Sequence, residues 1–339
     1  MKAIVWTDID KIEIRDVPLP EPKENKAIIK VGCTGICGSD LTIISGKHPR
    51  ARKPLVLGHE FMGTVFSFAK GASKGFSIGQ RVVVEPLLSC KVCKQCKSGN
   101  EHVCKNLKLI GVETDGGFAE YVRAPIDKIY PIDDSVTDEE AAIIEPLAVA
   151  VHAVNYAKLE KNNTIAIIGA GPIGLLIAQV VRARGFSKIW IGEISPFRLN
   201  LAQNLGFEVI DTKKYELLDR ILKFTDGEGV NVTFDAAGVP FSCSNIILMT
   251  SIKGRIVMVA IHKKPCEIMF QQLSYREQVI IGTRIYAKGD FQEAISLVED
   301  KKVDLKKTIT HIFSMENAIE AFRIAKDPTE SCKIVIKQS

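Results

Sequence analysis

The chain has no long block of like charges, no internal repeat and no low-complexity segment. Basic side chains outnumber acidic ones by only 45 to 40, a net +5 scattered along the sequence, which gives no case for a nucleic-acid partner or a charged membrane surface. The N-terminus, Met1-Lys2-Ala3-Ile4-Val5-Trp6, lacks the apolar core and small-residue cleavage site of a signal peptide, so cytoplasmic residence is the expected default. One stretch without charge, Thr164 to Val181, is about as long as a short membrane span. Gly169-Ala170-Gly171-Pro172 breaks it into a strand-like and a helix-like half, so no spanning helix is expected.

At 339 residues, 46% apolar and 25% charged, the composition is that of a soluble globular enzyme of two domains. From Met1 to about Ile144 short strands alternate with Gly and Pro turns, among them Ala27 to Val31, Met62 to Ser67 and Arg81 to Val84. From about Pro146 to Ile285 strands and helices alternate: Thr164 to Ile168, Ile173 to Arg184, Lys188 to Gly192, Arg198 to Leu205, then strands at Val232 to Asp235 and Arg255 to Val259. Such alternation predicts a parallel sheet with helices on its faces. The tail from about Lys288 holds helices over Phe291 to Glu299 and from Met315, and strands at Ile309 to Phe313 and Lys333 to Lys337.

Nine cysteines are present, and four of them, Cys90, Cys93, Cys96 and Cys104, follow a C-x2-C-x2-C-x7-C pattern. A disulfide cluster is the alternative, but two-residue gaps hold three thiols in one small lobe, which suits a single structural zinc ion better. Lys91, Lys94, Lys97, Lys105 and Lys108 surround the lobe as a solvated face that offsets the thiolate charge. Upstream, Cys37, His59 and Glu60 offer a thiol, an imidazole and a carboxylate, the three-ligand set of a catalytic zinc with an open position. Cys33, Cys243, Cys266 and Cys332 are dispersed and are expected to be reduced packing residues. His152 sits in an apolar helix-like run and is also expected to pack, while His48, His102, His262 and His311 carry no motif.

Gly169-Ala170-Gly171-Pro172-Ile173-Gly174 follows an apolar strand and opens a helix, the setting in which G-x-G-x-x-G binds a dinucleotide pyrophosphate. Glu193 stands 19 positions after Gly174 and is placed to accept from the adenosine ribose. Its charge repels a 2'-phosphate, which favours NAD over NADP, although Arg198 close by would tolerate phosphate.

With these residues the chain resembles the zinc-containing medium-chain alcohol dehydrogenases, in particular the branch of sorbitol, threonine and butanediol dehydrogenases. Gly58-His59-Glu60 with Gly63 and Ala69 matches that family's zinc signature, and Glu145-Pro146-Leu147-Ala148 matches a motif of the polyol branch. The resemblance implies an α/β chain in which a mainly β, GroES-like catalytic domain, 1–147 completed by 288–339, flanks a doubly wound Rossmann domain over 148–287. It implies one catalytic and one structural zinc, NAD, a small-molecule alcohol substrate and a homodimer or homotetramer. Cys37, His59 and Glu60 would hold the catalytic zinc, with Glu145 an additional ligand or water-linked acid, or else only a helix-start carboxylate. Ser39 would pass the proton, and Asp40 would orient His59. Thr42 stands where some relatives have a histidine. Tyr286 matches a substrate-pocket residue of sorbitol dehydrogenases, but Ile285 takes the place of their arginine and Arg284, one residue off, would point to the other face of an extended segment. Sorbitol itself is thereby put in doubt; a diol, sugar acid, cyclitol or amino alcohol remains open. A nucleotide-binding sensor without turnover would share the fold. The retained Cys37, His59, Glu60, Ser39 and Glu193 weigh against it.

Overall fold

The uncharged stretch divides where its glycines fall. In the computed structural model, which describes residues 1–69 and 73–338, strand Ile165–Ile168 is buried throughout and ends at the glycine turn, after which helix Pro172–Ala183 begins. Residues 70–72 and 339, which belong to the expected first domain and its completing segment, lie outside the described residues. The helix buries every position from Gly174 to Val181, and a helix apolar on all sides must lie inside a protein core. No described helix is long and apolar enough to cross a membrane.

Six parallel strands make one sheet, in the spatial order Glu208–Asp211, Ile189–Glu193, Ile165–Ile168, Val230–Asp235, Thr250–Met258, Val279–Gly282. This is the 3-2-1-4-5-6 order of the doubly wound dinucleotide fold. The order in which strands are added switches sides between the parallel neighbours Ile165–Ile168 and Val230–Asp235, so the loops at their carboxyl ends part and leave a crevice there.

The second large sheet is mainly antiparallel and runs Ile129–Pro131, Arg81–Val84, Glu60–Phe68, Lys26–Gly35, Lys333–Lys337, Ile309–Ser314, with Tyr121–Pro125 also paired to Lys26–Gly35. Lys333–Lys337, almost at the end of the chain, thus lies beside Lys26–Gly35. The strands expected at 27–31 and 62–67 are longer than their apolar cores, and the added residues bring Gly35 opposite Glu60. The helix expected from Met315 starts as a 3-10 turn over Met315–Asn317 before Ala318–Ala325. A continuous helix, Ile144–Ala157, buried along most of its length, carries the chain from the mainly antiparallel sheet towards the parallel one.

Candidate active site

Cys37 precedes helix Gly38–Ile44, and its backbone N–H donates to Asp40 Oδ2 at 2.9 Å in the first turn. Asp40 is fully buried, and its other oxygen lies 3.7 Å from His59 Nδ1. Because Nδ1 faces Asp40, Nε2 is the nitrogen left to face Cys37. One donor atom each from Cys37, His59 and Glu60 fall within 4.8 Å of one another. Gly35 allows this, since a Cβ at that position would run into the Glu60 carboxylate. Ser39 Oγ sits 3.3 Å from Cys37 Sγ. Thr42 is spoken for, its hydroxyl donating to the carbonyl of Gly38 at 3.0 Å.

The cluster has the chemistry of a divalent-cation site. His59 Nδ1 and Asp40 Oδ1 find no hydrogen-bond partner among the described residues, which is costly for buried polar atoms. Burial resists charge on the His59 ring, yet the Cys37 and Asp40 side chains outweigh it and hold the ring well above its usual pKa. A half-buried thiol beside a buried imidazole and a buried carboxylate, together drawing positive charge, fit zinc.

Three further side chains close the cluster. Glu145 enters in the first turn of helix Ile144–Ala157, and burial, opposed by His59 and reinforced by Glu60, pushes its carboxyl up to about 7. Tyr286 is buried against it, and burial together with the Glu145 charge holds the phenol well above its ordinary value. Tyr286 comes from the end of the parallel sheet, so this contact joins the two halves of the molecule at the cluster. The third side chain, Lys333, is one that sequence reasoning missed. It forms an ion pair with Glu60, both almost completely buried, and donates to the carbonyl of Ile36 at 2.9 Å. Burial disfavours the Lys333 charge, but Glu60 and Cys37 outweigh it and raise the pKa. No motif marks this lysine, which opens a strand that ends in a second lysine, Lys337; only the pairing of Lys333–Lys337 with Lys26–Gly35 brings it to Glu60.

The four-cysteine lobe is compact. Cys93 and Cys96 sulfurs are 3.5 Å apart, and the Cys90–Cys96 and Cys93–Cys104 pairs 3.9 Å. These separations are too long for disulfides and match the ~3.8 Å edge of a tetrahedron with zinc–sulfur bonds of about 2.3 Å. Backbone N–H groups of Cys96 and Lys105 draw the Cys93 thiol down to about 6, whereas burial and the neighbouring sulfurs push Cys96 up to about 12. Four thiols in that state cannot ionise together unaided, and a divalent cation supplies what is missing.

At the glycine turn, Gly171 precedes helix Pro172–Ala183 with Pro172 and Ile173 in its first turn. A Cβ on Gly174 would collide with the carbonyl of Gly169, so the third glycine is what lets helix and strand pack closely. Glu193 ends its strand and is buried; Oε2 accepts from the Ala170 N–H at 2.8 Å, and Oε1 from Ile194 and Ser195 at 2.7 and 2.9 Å. Arg198 approaches Gly171 and donates from Nε to the carbonyl of Ser331 at 3.1 Å. Residues 331–333 therefore link the glycine turn, through Arg198, to the metal-like cluster, through Lys333.

Several expectations need correction. Cys243 and Cys266 are not isolated packing thiols but form a disulfide. The loop that carries Cys266 returns onto helix Pro240–Met249, a contact their 23-residue separation does not announce. His262, which carries no motif, pairs with Asp235. His152 is not mere apolar packing, because Nδ1 lies 2.7 Å from Asp290 Oδ2 inside the protein. The segment after Gly282 is not simply extended: Ile285 takes φ +54°, a region that β-branched residues rarely enter, and Arg284 is exposed.

Comparison with known proteins agrees with this geometry. Residues 23–134 match the model of the alcohol dehydrogenase GroES-like domain, and residues 172–300 that of zinc-binding dehydrogenases. The chain is 33% identical to sorbitol dehydrogenase of Halalkalibacterium halodurans over 99% of both chains. It is 30% identical to L-galactonate-5-dehydrogenase of Escherichia coli K12, covering 95% of this chain and 92% of that one. Among solved structures, an alcohol dehydrogenase of Escherichia coli CFT073 complexed with NADH superposes with a TM-score of 0.93 at 29% identity, over 100% of this chain and 99% of the other. Two complementary domain matches, near-complete coverage by relatives and a Cys-His-Glu cluster in the same chain as a dinucleotide-type glycine turn place this chain in the family of zinc-binding, medium-chain alcohol dehydrogenases.

Proposed function

We propose that the protein oxidises a secondary hydroxyl of a polyol, sugar acid or similar small alcohol, with NAD as hydride acceptor. The observation that carries this reading is the convergence of Cys37, His59 and Glu60 within 4.8 Å. Relatives whose names specify sorbitol and L-galactonate support the substrate class.

In this reading Cys37, His59 and Glu60 would hold a zinc ion, whose Lewis acidity would lower the pKa of the substrate hydroxyl, with bound NAD as the hydride acceptor. Asp40, with Oδ1 3.7 Å from Nδ1, orients the His59 ring by its charge. Ser39, at 3.3 Å from Cys37 Sγ, accepts the hydroxyl proton and passes it outward, and Thr42 takes no part because its hydroxyl is bound to the helix backbone. Lys333 balances the Glu60 charge, and Glu145 with Tyr286 forms the wall between cluster and cofactor side. The glycine turn 169–174 faces the pyrophosphate, with Arg198 beside Gly171. Glu193 keeps lone pairs for the ribose while its charge excludes a 2'-phosphate. Cys90, Cys93, Cys96 and Cys104 hold a second, structural zinc.

The expected domain division, 1–147 with 288–339 around 148–287, belongs to the same reading. It is supported by the confinement of the parallel sheet to residues 165–282 and by the pairing of Lys333–Lys337 with Lys26–Gly35. So does cytoplasmic residence, since four closely spaced thiols persist as zinc ligands in a reducing compartment. A homodimer or homotetramer is also expected, because the outer strand Val279–Gly282 exposes Val279, and Phe270 and Tyr275 are 67% and 72% exposed nearby in sequence. Light scattering should return a dimer or tetramer mass; a monomer at micromolar concentration would remove that part of the proposal.

The test is the absorbance of reduced nicotinamide formed by zinc-loaded protein from a panel of polyols, sugar acids, diols, cyclitols and threonine. Turnover of a polyol or sugar acid is expected, and turnover of threonine alone would shift the assignment to amino alcohols. Glu193→Gln keeps an acceptor for the Ala170 N–H but removes the charge, so the NAD to NADP ratio of kcat/KM should fall roughly tenfold, the size of one partly screened charge term. An unaltered ratio would contradict the ribose role. Cys93→Ser should yield insoluble or unfolded protein that has lost one zinc ion per chain, because a structural zinc contributes folding free energy directly. Soluble variant with full zinc content would speak against that site.

A further inference from the structure

Outside the cluster already described, a second group of chemically capable side chains lies at the carboxyl ends of strands Val230–Asp235 and Thr250–Met258. Cys243, in helix Pro240–Met249, is fully buried and bonded to Cys266, which is half-buried in the loop between Met258 and Phe270. His262, on the same loop, places Nδ1 3.7 Å from Cys243 Sγ and Nε2 2.8 Å from Asp235 Oδ2. A carboxylate can only accept, so in the neutral ring Nε2 carries the proton and Nδ1 turns its lone pair towards Cys243. Lys263 and Lys264, both exposed, add positive charge to the loop, and Cys243 lies in the first turns of its helix. Positive charge and an adjacent base favour a thiolate at the buried Cys243, and the half-buried Cys266 gives the pair its access to solvent.

The group touches the glycine turn. Asp235 pairs in register with Ile168, the residue before Gly169, and its Oδ1 accepts from the N–H groups of Ala237 and Gly238 at 3.0 Å. Its carbonyl accepts from Val259 and Ala260 at 3.0 and 2.9 Å. A Cβ built on Gly169 would stand 3.2 Å from that of Ala237. Asp235 thus ties together the loop after its own strand, the loop that bears Cys266, and the turn at the cofactor crevice.

We propose that Cys243 and Cys266, with His262 as base, are a reversible thiol–disulfide exchange site whose state sets the order of the loops flanking the glycine turn. The oxidant is a low-molecular-weight disulfide such as glutathione disulfide. Cys266, the more accessible sulfur, loses its proton to solvent, attacks as thiolate, forms a mixed disulfide and releases one glutathione thiolate, which takes a proton back from solvent. Cys243 gives its proton to His262 Nδ1, and its sulfur attacks Cys266 Sγ. The mixed disulfide breaks, and the second glutathione leaves and recovers the proton from His262. Two protein thiols are oxidised and one glutathione disulfide is reduced to two thiols. With the bond in place the loop at 259–269 is pinned to helix Pro240–Met249; without it the loop loses that covalent tie and keeps its hydrogen bonds to Asp235 and the packing of Ile268.

The test uses zinc-loaded, full-length protein equilibrated in buffers of varied reduced to oxidised glutathione, then acid-quenched, alkylated and mapped by peptide mass. The peptides carrying residues 243 and 266 should convert from two alkylated thiols to one cross-linked species, and back on reduction. His262→Asn, which can still donate to Asp235, should slow bond formation by about a hundredfold, the lower end of general-base contributions. Amide hydrogen exchange at 236–238 and 259–266 should be faster in the reduced state, and the double variant Cys243→Ser/Cys266→Ser should match the reduced protein in every buffer. Permanent thiols at every ratio, or exchange rates indifferent to redox state, would overturn the proposal. So would a further zinc ion retained by the reduced protein that shields Cys243 and Cys266 from alkylation, which would make the group a metal site. NADH affinity about fivefold weaker in the reduced state is the expected functional consequence and rests on the NAD reading of the turn. Absence of NADH binding in both states counts against that reading, whereas the thiol mapping and hydrogen exchange decide the exchange site without the cofactor.

Discussion

Replacement of Cys37 by alanine is expected to lower kcat/KM with the best alcohol by about a thousandfold or more, with the fold retained. The side chain contributes one of only three donors at the cluster, and the Lewis acidity it helps to hold stands for several kcal/mol of transition-state stabilisation, at 1.36 kcal/mol per factor of ten. Two readouts separate a chemical loss from a folding loss. Zinc content should drop from two ions per chain to one, with the four-cysteine lobe still loaded. NADH affinity and circular dichroism should stay at the parental level, because Cys37 lies at the start of a short helix in the mainly antiparallel half and contributes nothing to the glycine turn. A variant that kept a tenth of the parental rate would remove Cys37 from the reaction centre.

Lys333→Met should have the largest effect on stability. Lys333 and Glu60 are an ion pair with side chains 3% and 1% exposed, and deletion of one partner leaves the other charge buried and uncompensated, at a cost of about 3–5 kcal/mol. For a chain of this length that is an apparent melting temperature lower by roughly 5 °C. Lys333→Arg keeps the charge and should recover most of it. The raised pKa of Lys333 sets the sign with pH: its contribution is fully present below the ordinary lysine value and is lost only as pH rises through the higher folded value. The deficit of the methionine variant should therefore be constant from neutral to mildly alkaline pH and narrow at strongly alkaline pH. A melting temperature within 1 °C of the parent would falsify the view that Lys333 neutralises Glu60.

Motifs in which chemistry and local backbone coincide were legible in one dimension. The glycine turn is a contiguous hexapeptide between an apolar strand and an apolar helix, and the closely spaced cysteines Cys90, Cys93 and Cys96 share one lobe with Cys104, so spacing alone brings these groups together. Alternation of strands and helices likewise identified the parallel sheet, because side-chain period is a property of the segment itself. Segment ends were less legible: Glu60–Phe68 starts two residues before its apolar core, since ladder hydrogen bonds to Lys26–Gly35 extend it past the point where hydrophobicity stops.

Whatever depends on two distant segments was decided by tertiary structure. Lys333 looks like the first residue of an ordinary edge-to-core strand and acquires its role 273 residues away from Glu60 through sheet pairing. Cys243, Cys266 and His262, silent as single residues, become one group because a loop folds back on a helix beside Asp235. The sequence by itself determined the sheet class, the glycine turn and which side chains are candidate metal donors, because short-range spacing and residue type encode them. Only the tertiary structure decided which charge neutralises Glu60, how Tyr286 meets Glu145, and that two lone cysteines are a pair, because burial and pairing between remote segments leave no local pattern to read.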